Sequence, residues 1–217
     1  MRVDALDQLG PVIVVLGVGA WVAWLAVGTL VNRRRAAALS RWTYTQARAL
    51  GDEVYIRWIT LAAFEMTVPQ PRPPFRHLTF VGFLESREMP FVWLTNRLRG
   101  RSDLLVVRAE LAVVPRWGGM EAFRPHSVLA GDARAAASRA GWPTTRSAEG
   151  LVRAHAPATA PRAERLLAAV GPYAPYLERL ALRREAPQLQ LTLAIGRLRL
   201  DAAPPLAPVL CQLAEAS

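Results

Sequence analysis

A chain of 217 residues with a net charge of +10 has room for one domain of ordinary size beside a membrane segment. All 27 basic residues are arginine, and the lack of lysine excludes covalent imine chemistry and a Walker-type phosphate loop. Cys211 is the single cysteine, so no internal disulfide can form, which fits a reducing compartment.

Residues 1–10 are expected to form a short outer tail. Residues 11–31 read PVIVVLGVGAWVAWLAVGTLV. These 21 uncharged residues suffice, at about 1.5 Å each, to cross a hydrocarbon core of ~30 Å. Arg33, Arg34 and Arg35 follow at once, whereas the preceding flank sets Arg2 against Asp4 and Asp7. Arginine-rich flanks stay cytoplasmic, so the chain is predicted to cross the inner membrane once, N-terminus outside. A cleaved secretory signal has the opposite order, with positive charge before a shorter apolar region.

Within the span, Gly17, Gly19, Ala20, Ala23 and Ala26 are small, and Gly19, Ala23 and Ala26 share a helical face. Small faces allow close helix approach in lipid, where packing and not hydrophobicity drives association. Trp21 and Trp24 sit near mid-run, away from the interfaces where tryptophan collects. Bulk and an N–H at that depth call for a neighbour. These residues are the predicted helix-packing set.

Residues 32–51 read as a basic juxtamembrane helix, with Leu39, Trp42, Gln46 and Ala49 on one face and Gly51 at its end. Residues 52–217 are predicted to form a cytoplasmic α+β domain. In it, residues 53–68 favour strand, and Pro69, Pro71, Pro73 and Pro74 make a stiff connector. An antiparallel meander is predicted from residues 75–85, 89–98 and 104–114, because a half-buried strand alternates with a period of two. Helices are predicted over residues 132–140, 161–170, 172–185 and 205–214, with loop over 144–158. Residues 188–201 are read as two strands joined at Gly196-Arg197.

His77, His126 and His155 have no carboxylate or cysteine at ligand spacing, and no local metal or nucleophile motif occurs. No metal, cofactor or catalytic group is therefore expected. After residue 31, 26 arginines face 15 acidic residues. That surplus favours anionic lipid at the inner leaflet, at roughly 1 kcal/mol per residue near the surface. Arg33, Arg34 and Arg35 are the first candidates, and Arg97, Arg99 and Arg101, around a predicted hairpin turn at Gly100, are the second. No recognition motif points to nucleic acid.

The layout of one N-terminal span, outer tail and globular cytoplasmic domain is similar to that of the H subunit of photosynthetic reaction centres, in topology only. It implies a non-catalytic accessory subunit of a photosynthetic or respiratory membrane assembly, with integral-membrane subunits as partners. The alternative is a membrane-anchored enzyme or small-ligand module whose site is assembled by folding.

Overall fold

The computed structural model of the chain describes residues 3–147 and 150–217. Its first element is one unbroken helix, α1 (Val3–Leu50), about 72 Å long at 1.5 Å per residue. The apolar run and the juxtamembrane segment are thus one rod, already helical at Val3; residues 1 and 2 lie outside the described residues. Its two halves differ in surroundings. Side chains from Val12 to Val22 are exposed, whereas Ala36, Leu39, Thr43, Gln46, Ala47 and Leu50 form a buried stripe. Spacings of three and four put that stripe on one helical face. It is rotated from the predicted one: Ala49 is exposed, and Thr43 and Ala47 are buried.

Among the described residues nine strands form a single sheet: β1 (Tyr55–Thr60), β2 (Ala63–Val68), β3 (Phe75–Phe83), β4 (Leu104–Leu111), β5 (Met120–Phe123), β6 (Thr144–Arg146), β7 (Val152–His155), β8 (Leu177–Leu182) and β9 (Leu189–Ala194). The order is β1-β2-β3-β4-β9-β8-β5-β7-β6, and each neighbouring pair is antiparallel. Four further helices follow α1: α2 (Pro90–Leu98), α3 (Ala130–Arg139), α4 (Ala160–Ala169) and α5 (Leu206–Ala216). The predicted α+β architecture, a long apolar N-terminal helix with an antiparallel sheet and short helices, is the one observed.

The sheet domain packs on the lower half of α1. Its lower stripe lies on β2, β3 and α5, and α4 lies on α5. They cover Phe64, Met66, Leu78, Phe80, Leu105, Val107, Leu191 and Leu193, the buried face of the sheet. Gln46 of α1 also accepts the backbone N–H groups of Leu206 at 2.7 Å and Ala207 at 3.3 Å. It thereby satisfies donors that the start of α5 leaves without an intrahelical partner. On the opposite face α3 packs against Phe123. Between β5 and β8, the fully buried Glu121 takes both Arg179 Nε and Nη2 at 2.9 Å, with Arg183 Nε at 3.1 Å.

Several predicted elements take another form. Residues 53–68 are the β1–β2 hairpin, turning at Leu61 and Ala62. Residues 89–98 form helix α2 and not a strand. β3 pairs directly with β4 through Phe83 and Leu104, so the segment between them leaves the sheet and has no strand to join. Pro90 in the first helical turn suits that outcome. The second part of residues 172–185 is β8: Pro172 and Pro175 allow only a short 3-10 turn, since proline lacks the N–H a longer helix needs. β8 is buried on both faces, which removes the alternation that marks a strand. β6 and β7, three and four residues long, lie at the sheet edge where a loop was predicted. Beyond Ala194 the chain makes a 3-10 turn at Ile195–Arg197 without folding back as a second strand.

Candidate functional site

The end of β3, the starts of β4 and β8, and the ends of β5 and β9 share one edge of the sheet, as the pairs Phe83–Leu104, Leu104–Ala194 and Leu177–Leu193 require. The upper half of α1 rises from that edge. Three features meet there.

The first is an aromatic seam between α1 and the β3–α2 segment. Trp24 Nε1 donates to the Arg87 carbonyl at 3.0 Å. Its ring lies 5.8 Å from Trp93, and Trp21 lies 6.4 Å from Phe91. Gly28 is buried directly beneath this segment, where an added Cβ would collide with the Arg87 carbonyl. Glycine at 28 therefore permits the close approach. Trp21, Trp24, Gly28 and Asn32, at spacings of three and four, form the face of the upper half of α1 that meets the β3–α2 segment. The remaining predicted packing residues do not: Gly17 and Gly19 meet open space, and Ala20, Ala23 and Ala26 are exposed.

The second is a clamp on Asp103. This buried carboxylate takes Arg87 Nη2 on both oxygens, at 3.0 and 2.9 Å, Arg35 Nη1 at 2.9 Å and the Glu85 N–H at 2.8 Å. Arg87 Nη1 also donates to Asn32 Oδ1 at 2.9 Å. One aspartate thus joins α1, the β3–α2 segment and β4. The Arg87 contact, one nitrogen on both oxygens, is the stronger part; Arg35 is half exposed and adds little. Beside it Glu85 is buried with Oε1 unpartnered. Burial foremost, and then the Asp103 charge, push its carboxyl above the usual range, while Arg87, Arg97 and Arg35 pull it back.

The third is a pair of adjoining clefts of about 710 and 530 Å³. Arg101, Arg124, Glu85 and Glu178 line both. The larger adds Arg99, Arg146 and His126; the smaller adds Arg35, Arg87, Arg97 and Arg197. The guanidinium groups of Arg97, Arg99 and Arg197 have no hydrogen-bond or ion-pair partner among the described residues. Folding therefore gathers three predicted arginines, Arg97, Arg99 and Arg101, with Arg35. Arg97 lies in the last turn of α2, and Arg99 and Arg101 flank Gly100, at φ +70°, in the turn that follows and not in a β-hairpin. Arg33 lies instead beside Trp58, Ile59 and Leu61 at the β1–β2 tip, and Arg34 is exposed.

Sequence reasoning missed Arg87, Asp103 and Arg124, because each is ordinary in its local context and gains meaning only from contacts 16 to 68 positions away. Among the described residues no group of three His, Cys, Asp or Glu side chains is placed to hold a metal ion. The arrangement is suited to holding an anion, because arginines outnumber the Glu85, Asp103 and Glu178 carboxylates that also line the clefts. The chain matches no family model and no curated protein.

Proposed function

We propose that the chain is a single-pass membrane protein serving as a non-catalytic accessory subunit of a larger integral-membrane assembly, with its α+β domain capping the cytoplasmic face. The upper half of α1 carries this reading. It contains an 18-residue window of mean hydropathy 2.2 that is almost wholly unburied, and its Gly19–Ala23–Ala26 side is bare. Apolar surface of that length is stable only in hydrocarbon or against other apolar helices. Arg33, Arg34 and Arg35 orient it with the domain inside. After gentle detergent extraction of the native membrane, the protein is expected to migrate with a complex several times its own mass. Migration as a lone monomer overturns the subunit role.

The clefts favour a second reading: a membrane-anchored module that holds an anionic phospholipid headgroup. Arg97, Arg99 and Arg197 stand unpaired on the edge from which α1 rises, where lipid phosphates are at hand. The purified chain is expected to retain phosphatidylglycerol over phosphatidylcholine, measured by mass spectrometry of bound lipid. Because each basic residue near an anionic surface contributes about 1 kcal/mol, Arg97→Glu with Arg101→Glu is expected to cut that retention at least ~10-fold. Equal retention of both lipids, or indifference to salt and to the double substitution, contradicts it.

A further inference from the structure

Helix α2 has no buried side chain; Phe91 is 72% exposed and Leu98 78%, with Val92 and Leu94 also exposed. Such an apolar helix standing away from its domain in water would be unfavourable. Its position removes the difficulty. Phe91 contacts Trp21, which precedes Arg33 by 12 positions, so α2 reaches about 18 Å into the apolar half of α1.

We propose that α2 is a re-entrant helix: it enters the bilayer beside α1, and acyl chains cover its exposed face. This rests on the single-pass reading above. Hydrocarbon admits only backbone whose polar groups are satisfied within the protein, and several of those in the descending segment are. The Arg87 carbonyl, outside the helix, is taken by the Trp24 indole. Trp93 N–H bonds the Met89 carbonyl at 2.8 Å. The exposed Thr95 hydroxyl turns back to the Phe91 and Val92 carbonyls, both at 2.9 Å. Glu88 stands just before the uncharged residues 89–96, and charge returns where the segment climbs out, at Arg97, Arg99 and Arg101, on the edge that also holds Arg35. Their long stems let the guanidinium groups stay at the headgroups. Exposed Trp58, Ile59 and Leu61 beside Arg33 extend the apolar surface along the same boundary.

The test uses the full chain with Cys211→Ala in nanodiscs of phosphatidylcholine and phosphatidylglycerol, open to reagent on both faces. Single cysteines replace Val18 in α1, Phe91 and Leu94 in α2, and the exposed Arg108 of β4, and each is reacted with a membrane-impermeant maleimide. A thiol in hydrocarbon neither ionises nor meets the reagent. Phe91→Cys and Leu94→Cys are therefore expected to react at roughly a tenth of the Arg108→Cys rate or less, as Val18→Cys does. If the α2 cysteines react as fast as Arg108→Cys while Val18→Cys is protected, α2 lies in water and the proposal is overturned. If Val18→Cys also reacts fast, the span itself is wrong and both readings fall.

Discussion

Replacing Glu121 with leucine is expected to destabilise the chain by about 4 kcal/mol, because it strands a buried guanidinium. Arg179 is almost wholly enclosed, and both of its carboxylate contacts run to Glu121. Arg183 is partly exposed and can turn to water when its partner is lost. For a chain of this size the loss corresponds to a fall in Tm on the order of 10 °C. Thermal unfolding in detergent, followed by circular dichroism, measures it. The double variant Glu121→Leu with Arg179→Met removes both charges and is expected to recover most of the loss. A single variant within about 1 kcal/mol of wild type would mean that the β5–β8 ion pair is not the desolvated contact its burial implies.

Asp103→Asn is expected to cost about 3 kcal/mol, since it takes away the carboxylate that Arg87 grips with one nitrogen and Arg35 with another. The cost falls at the low end for buried pairs for two reasons. Arg87 keeps Asn32 Oδ1 and the Glu85 carbonyl as acceptors. Glu85, 3.7 Å from Arg87, also loses a repelling neighbour when Asp103 becomes neutral. Beyond the overall loss, residues 85–103 are expected to become the first site cut by limited proteolysis, because the clamp fastens that segment to α1. The cycle of Asp103→Asn with Arg87→Met should give a coupling above about 1 kcal/mol. Additive effects would show that the two residues do not act as a unit.

The Glu85 carboxyl adds a pH dependence of defined sign. Its folded-state pKa lies above the unfolded value. The penalty for keeping it charged is thus absent at low pH and grows as pH rises through that raised value.

How far the fold was legible depended on whether a segment's partner was near or far. The alternation of Leu105, Val107, Ala109 and Leu111 in β4 reads correctly because only one face of that strand is fully buried, whereas Val113, expected on the same face, lies past the end of the strand and is exposed. Helices α3, α4 and α5 were legible from proline at the start or glycine past the end. β8 was not, because burial on both faces erases the period of two, and Leu177 and Leu180 line up with Tyr173 and Tyr176 of the preceding 3-10 turn as they would on a helix. Residues 89–98 carry strand-favouring side chains and become α2 because β3 and β4 already satisfy each other. Trp21 and Trp24 were recognised as needing a neighbour, but nothing local named Phe91, Trp93 and the Arg87 carbonyl.

By itself, the amino-acid sequence determined the long apolar helix, the basic block at its end, the lack of lysine chemistry and the α+β class. These follow from composition and short-range periodicity, which act within a few residues of chain. Tertiary structure alone decided that Asp103 binds α1 to the domain, that arginines from positions 35 to 197 share two clefts, and that α2 lies along the apolar helix. Each depends on which strand edges meet, and that is settled by burial of the whole sheet and not by any one segment.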